Sequence, residues 1–128
     1  MRCLDTTFLV DYFRGEAAAV RKVQEMIGAA EGISIPAVAA AEVLVGAYYR
    51  GKGELARTLE FLEQLQILPF AEGEAAEAGR MGAESLHRGL PLAGNDLLIA
   101  ATARHHRGIL VSRDAAFSQV PGLAVEAY

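Results

Sequence analysis

Short apolar runs alternate with longer segments of helical periodicity along almost the entire chain. The short runs predict buried β-strands over residues 1–4, 33–35, 67–68, 109–111 and 123–125. The longer segments carry apolar residues at helical spacing and predict helices after residue 6, over residues 16–28, 36–49, 54–66 and 72–88, and from residue 95. This alternation predicts an α/β fold, a three-layer sandwich in which helices flank a short parallel-stranded sheet.

Carboxylates stand where predicted strands end and predicted helices begin. Asp5 directly follows the first strand, Asp114 follows the fourth, and Asp96 lies at the start of the helix that leads into the fourth strand. In parallel sheets of this kind, ligands bind outside the carboxyl ends of the strands. Each aspartate is also well placed to cap a helix, where its charge suits the helix dipole. The pattern therefore leaves open a shared site or separate helix caps.

Glu42 is the most informative carboxylate, because it lies in an almost wholly apolar predicted helix. Its helical neighbours are Val38, Ala39, Val45, Gly46 and Tyr49. These neighbours predict a buried carboxylate, which is costly unless it is paired with a cation or hydrogen-bonded. A core glutamate held by an arginine or a backbone amide is one interpretation, and a ligand-binding carboxylate is the other. Gly46, one turn further on, leaves room for an ion or a substrate strand.

Composition and charge narrow the classes of function. A chain of 128 residues with 52% hydrophobic content is expected to form one domain over residues 1–128. The net charge of −4 argues against indiscriminate binding to nucleic acid, although it allows a local basic rim around an acidic pocket. Arg104, Arg107 and Arg113 are candidates for phosphate contacts on such a rim, with an ordinary solvated basic turn as the alternative. Asp11 is predicted to lie on a solvated helix face.

The single cysteine, Cys3, excludes an internal disulfide framework and suits a reducing compartment. It lies in an apolar run, which indicates a buried and inert thiol. No signal peptide is evident before Asp5, and no stretch approaches the roughly 20 apolar residues of a membrane span. A cytoplasmic protein without a membrane partner is therefore expected.

Several carboxylates at one sheet edge would imply metal chemistry. They repel one another at low dielectric, so such a cluster persists only if some members are protonated or a cation neutralises them. Oxygen donors without a histidine or cysteine at metal spacing suit Mg²⁺ or Mn²⁺. Such an ion activates a bound water and accepts phosphate oxygens as ligands. The reaction best matched is metal-assisted hydrolysis of a phosphodiester.

Four segments together resemble the PIN-domain family, and within it the VapC-type ribonuclease toxins. They are LDTTFLVD at residues 4–11, PAVAAAEVLVGA at 36–47, NDLLIAATA at 95–103 and GILVSRDAAFSQVPGL at 108–123. No single motif is very specific, but the four occur in order and cover nearly the whole chain. The segment over residues 72–88 is the least characteristic part.

The resemblance implies a role for each of the acids. Asp5, Glu42, Asp96 and Asp114 match the family's acids, which hold one or two Mg²⁺ or Mn²⁺ ions. Asp114 matches a position that varies between Asp and Asn, so a second ion or water orientation is its expected role. Two hydroxyl residues also match family positions, Thr6 after the first acid and Ser112 near the last. The family further implies cleavage within RNA, a homodimer, and a cognate antitoxin whose tail enters the active-site groove.

Alternative functions differ in the residues that they require. A phospho-receiver domain would need a lysine after a late strand, but the only lysines are Lys22 and Lys52. A phosphatase of the Asp-x-Asp type would need an acid where Thr7 stands. A housekeeping RNA-processing nuclease and a non-catalytic interaction module remain alternatives. The leucine stripe over residues 54–66 and the first two helices are candidates for a dimer face and an antitoxin groove, or simply for core.

Overall fold

The computed structural model describes residues 1–92 and 94–128. Five parallel strands form one sheet in the order β3-β2-β1-β4-β5. The strands are β1 (Arg2–Leu4), β2 (Ile33–Pro36), β3 (Gln66–Leu68), β4 (Ile109–Val111) and β5 (Ala124–Glu126). Each lies within one residue of a run predicted to be a strand, so the predicted α/β architecture is confirmed.

In the described residues, seven helices connect the strands. They are α1 (Thr6–Phe13), α2 (Ala17–Gly28), α3 (Ala37–Arg50), α4 (Lys52–Leu62), α5 (Glu72–Arg88), α6 (Gly94–His105) and the single turn α7 (Ala115–Ser118). The prediction for α4 was wrong at its end, because the helix stops four residues before Gln66 and that glutamine begins β3. None of the described helices combines the length and the apolar character needed to cross a bilayer.

The core lies between the central strands and the helices packed on them. Cys3 and Leu4 of β1 and Leu110 and Val111 of β4 are fully buried, as predicted for short apolar strands. The second half of α6 is buried at five consecutive positions, from Ile99 to Ala103. Thr102 within that run donates its hydroxyl to the Leu98 carbonyl at 2.8 Å, which satisfies the only polar side chain there. This packing fixes α6, and with it Asp96, against the sheet.

Candidate active site

The predicted acids meet where the strand order reverses. From β1 the chain adds strands in one direction as far as β3, and then returns to place β4 on the other side of β1. A reversal of this kind opens a crevice at the carboxyl ends of the two central strands. Asp5 directly follows β1, and Ser112 and Asp114 directly follow β4. The backbone N–H of Asp5 donates to the carbonyl of Val111 at 3.2 Å, which ties the two strand ends together.

Asp5 is the buried centre of this crevice, with 3% of its surface exposed. One carboxylate oxygen accepts the backbone N–H of Thr6 at 2.8 Å and so caps α1. The other accepts the hydroxyl of Ser112 at 2.8 Å. Burial raises the pKa of Asp5 to about 6 against these two hydrogen bonds, and the charges of Asp96 and Asp114 raise it further. Asp5 is therefore both a helix cap and a carboxyl group whose charged form is disfavoured by its burial.

Glu42 reaches the same crevice from α3. The Thr6 hydroxyl donates to Oε1 of Glu42 at 2.7 Å, and the side-chain amide of Asn95 donates to Oε2 at 3.3 Å. The prediction of a buried carboxylate among apolar neighbours was wrong, because this side chain is only half-buried. Val45 and Tyr49, two of those neighbours, are 71% and 91% exposed. The apolar character of α3 reflects an uncovered helix face.

Asp96 lies in the first turn of α6. Burial raises the pKa of Asp96, with further contributions from the charges of Asp114 and Glu42. Asp114 is exposed and caps α7, since it accepts the backbone N–H of Ala116 at 2.9 Å. Its own N–H donates to the Ser112 hydroxyl at 3.1 Å. Ser112 therefore links the last acid to Asp5.

The four carboxylates act on one another electrostatically, and within residues 1–92 and 94–128 none of them forms an ion pair with a Lys, Arg or His. In the same residues, no three acidic, histidine or cysteine side chains converge closely enough to enclose a metal as they stand. Glu42 is instead turned toward Thr6 and Asn95. These four carboxylates, which we call the acidic pocket, have no cationic side chain as a partner in the part of the chain that the structure describes.

Two of the three arginines predicted to contact phosphate, Arg104 and Arg107, lie elsewhere. Arg104 forms ion pairs with Glu77 and Glu84 at 3.3 Å, at the C-terminal end of α6. Arg107 follows in the turn before β4, with a left-handed φ of 56°. Both are therefore at the opposite end of α6 from Asp96, and the structure does not bring them to the acidic pocket.

Arg113 is committed to a structural cluster near the C-terminus. It contacts Asp11 at 3.0 Å and Glu16 at 3.2 Å, and its guanidinium lies 5.6 Å from the ring centre of Tyr128. The Tyr128 hydroxyl donates to Asp11 at 2.5 Å. The prediction that Asp11 is solvated was therefore wrong, because partners more than 100 residues away cover it.

Asn95 contacts Glu42 at this crevice, although the sequence analysis gave it no role of its own. Its position in the first turn of α6, beside Asp96, was the available signal. Its contact with Glu42 joins α6 to α3, and that contact depends on tertiary packing.

The family model for the PIN domain matches residues 2–123. A curated relative, Ribonuclease VapC19 from Mycobacterium tuberculosis, is 35% identical over 105 residues, which is 80% of each chain.

Solved structures agree with this match. VapBC2 from Rickettsia felis bound to a DNA fragment from its promoter gives a TM-score of 0.87 at 25% identity, covering 99% of this chain and 98% of that one. A toxin–antitoxin complex from Klebsiella pneumoniae gives 0.80 at 26% identity, covering 97% and 96%. FitAcB from Neisseria gonorrhoeae gives 0.82 at 26% identity, covering 98% and 96%. The chain therefore belongs to the PIN-domain family, and VapC-type ribonucleases are among its relatives.

Proposed function

We propose that this protein is a metal-dependent endoribonuclease and the toxin of a VapBC-type toxin–antitoxin pair. The observation that carries the proposal is the convergence of Asp5, Glu42, Asp96 and Asp114 on one crevice without a cationic partner among the described residues. The similarity to Ribonuclease VapC19 supports RNA as the substrate. The likeness to a toxin–antitoxin complex supports the toxin role. Residues 1–128 would act together as one nuclease domain.

The donor set fits Mg²⁺ or Mn²⁺. All four side chains offer oxygen atoms, which these hard ions prefer over nitrogen or sulfur. Burial raises the pKa of Asp5 and of Asp96, and the negative charges of neighbouring carboxylates, which no cationic side chain balances among the described residues, raise it further. A divalent cation removes that imbalance. Asp5, Glu42 and Asp96 would hold it, while Asp114 binds a second ion or orients a water.

The chain's own hydroxyl groups orient these ligands. Ser112 and the Thr6 N–H fix both oxygens of Asp5, and the Thr6 side chain fixes Glu42. A bound ion would supply charge neutralisation at the scissile phosphate and a water of lowered pKa as the nucleophile. Without it, four carboxylates would repel the phosphate. The acids therefore both create the need for the metal and make RNA binding depend on it.

The decisive experiment compares cleavage of single-stranded RNA by the wild-type protein, Asp96→Asn and Asp114→Asn. We expect Asp96→Asn to abolish Mg²⁺- or Mn²⁺-dependent cleavage with the fold intact by circular dichroism. Asp114→Asn should retain part of the activity if Asp114 only orients water. Glu63→Gln, on an exposed position after α4, is the matched control for loss of a carboxylate. Cleavage by Asp96→Asn, or by the wild type in EDTA, would refute the metal mechanism.

Two surfaces support protein partners. A cavity of about 390 Å³ between α1, α2 and α4 is lined by Tyr12, Phe13 and Phe61 among others, and it would accept an apolar segment of the antitoxin. On α3, Val45, Tyr48 and Tyr49 are 65–91% exposed and would form a homodimer face. The leucine stripe is divided, since Leu62 is buried and Leu59 is 40% exposed. A cytoplasmic location suits both RNA and the free Cys3 thiol.

Copurification tests the partner assignments. The toxin role predicts a small neighbouring gene for a DNA-binding antitoxin whose product copurifies with this chain and inhibits cleavage. A housekeeping nuclease would lack that partner.

Light scattering should give a dimer for the wild type and a monomer for a Val45→Asp, Tyr49→Asp variant. A non-catalytic module would show neither cleavage nor binding of Mn²⁺ by calorimetry.

A further inference from the structure

A groove of about 250 Å³, with Glu42 in its lining, lies between α1, α3 and α4. Its lining includes three arginines, two glutamates and a glycine: Arg14, Arg50, Arg57, Glu42, Glu54 and Gly46. The groove therefore shares Glu42 with the acidic pocket and contains a cluster of guanidinium groups that sequence reasoning did not single out. The lining carries three positive and two negative side chains, whereas the chain as a whole has a net charge of −4.

Arg57 already has partners within the protein. Its guanidinium donates to Glu54 at 3.2 Å and to the carbonyl of Phe13 at 3.1 Å, and it lies 5.2 Å from the centre of the Phe13 ring. Arg14 and Arg50 differ from it. Both are exposed, and in the part of the chain that the structure describes no carboxylate lies within 4.0 Å of either guanidinium. These two arginines are therefore available to an anion from outside.

The position of Arg50 depends on the glycine beside it. Glu42, Gly46 and Arg50 are four residues apart in turn, which places them along one face of α3. A Cβ at Gly46 would lie 3.3 Å from Nη1 of Arg50, so the guanidinium lies directly over the bare helix backbone. Arg50 thus folds back along α3 toward Glu42. The Arg50 guanidinium therefore occupies the space at Gly46 that the sequence analysis left for an ion or a substrate strand.

We propose that Arg14 and Arg50 bind the phosphodiester backbone of the RNA next to the bond that is cut. This inference rests on the proposed nuclease function. Glu42, Arg14 and Arg50 line the same groove, so an RNA strand with one phosphate at Glu42 would place neighbouring phosphates at the guanidiniums. Arginine suits this contact, since its planar fork binds phosphate oxygens in pairs.

The acidic end of the groove selects RNA over an acidic peptide. Glu42 repels any anion unless a divalent cation neutralises its charge. The ligand with the highest affinity is therefore one that contacts both the metal and the arginines. A phosphodiester chain offers a regular series of phosphates to both. An acidic protein segment gains from the arginines alone. Arg14 and Arg50 are in this view positioning residues, which hold the strand but do not touch the reacting atoms.

The test measures equilibrium binding and cleavage separately. A fluorescent single-stranded RNA with 2′-O-methyl riboses is titrated with the wild-type protein, Arg14→Ala, Arg50→Ala and the double variant in Mg²⁺ at several salt concentrations. We expect roughly a fivefold to tenfold loss of affinity for each variant, and a salt slope lower by about 0.7 for each arginine removed. With cleavable RNA, KM should rise while kcat stays within about twofold. Arg50→Lys, which keeps the charge, should recover most of the affinity.

Arg21→Ala is the matched control, because Arg21 is an exposed arginine on α2 outside the groove. If the double variant binds RNA with the affinity and salt slope of Arg21→Ala, the groove does not hold RNA. Loss of antitoxin binding with RNA binding unchanged would assign the groove to a protein and overturn the proposal. Failure of the nuclease function would look different. In that case the wild type would not cleave, while RNA binding still depended on Arg14 and Arg50.

Discussion

The two ends of α6 hold carboxylates in opposite electrostatic situations. At the N-terminal end, Asp96 shares a crevice with Asp5, Glu42 and Asp114, and the pKa of Asp96 and of Asp5 is raised. At the C-terminal end, ion pairs with Arg104 lower the pKa of Glu77. The Ala71 backbone N–H and His106 lower that of Glu74 there. The acids at the C-terminal end pair with Arg104 and His106 and hold α5 to α6, whereas the acids at the N-terminal end have no such partner among the described residues.

The largest expected difference between the two ends is in catalysis. Glu42→Gln removes a charge from the acidic pocket and should lower kcat/KM for RNA cleavage by at least about a hundredfold, as loss of metal-site interactions does. Glu77→Gln removes a charge from the paired acids and should leave kcat/KM within about twofold. Steady-state cleavage in Mg²⁺ measures both. Equal losses of kcat/KM in the two variants would show that the acids without a cationic partner have no special role in catalysis.

Replacing Asp5 should abolish catalysis but raise the stability of the folded, metal-free protein. Between the unfolded pKa near 3.8 and the folded value of about 6, the folded protein binds more protons, so stability falls as pH rises. Above pH 6 the buried charge therefore destabilises the metal-free protein by about 2–3 kcal/mol. Asp5→Asn keeps the α1 cap and should recover this free energy of unfolding while it abolishes cleavage.

Urea unfolding in EDTA from pH 4 to pH 8 measures that effect. The wild type and Asp5→Asn should differ most at pH 7–8 and converge toward pH 4, where Asp5 is protonated in both states. Saturating Mn²⁺ should stabilise the wild type more than the variant. A variant less stable than the wild type at pH 8 without metal would contradict the proposed charge imbalance.

Ser112 should have a smaller effect on metal affinity. Its hydroxyl donates to Asp5 and accepts from the backbone of Asp114, so Ser112→Ala frees both acids at once. We expect affinity for Mn²⁺ by calorimetry to fall by about ten- to a hundredfold, the usual effect of losing a group that orients a ligand. Ser112→Thr keeps the hydroxyl and is the control. Unchanged affinity in Ser112→Ala would exclude a role in orienting Asp5.

The smallest expected effect is at Arg104. Arg104→Ala breaks the ion pairs with Glu77 and Glu84 and should cost about 1 kcal/mol of unfolding free energy. RNA affinity should not change, because the side chain lies at the far end of α6 from the pocket. Denaturation and RNA titration measure the two quantities. Weakened RNA binding in this variant would restore Arg104 as a phosphate contact.

The local pattern of the sequence was sufficient to predict the strands, the α/β class and Asp5, Asp96 and Asp114 as candidate acids. Apolar runs of strand length must be buried, and parallel strands with helical crossovers bring their carboxyl ends to one edge. The motifs around these acids also carried the family resemblance, which the comparisons confirm. Whether the acids bind a metal remains a proposal.

Tertiary structure decided which charged groups have partners. Asp11 and Arg113 looked solvated and available, but Tyr128, at the other end of the chain, completes a cluster with them. Glu42 looked buried, but part of α3 is uncovered, and its carboxylate meets Thr6 and Asn95. Arg14 and Arg50 became notable only when α1 and α3 placed them along one groove. The sequence determines which residues carry charge and which runs must be buried. Only the packed chain determines which charges meet, because electrostatic partners interact through space and at any separation in sequence.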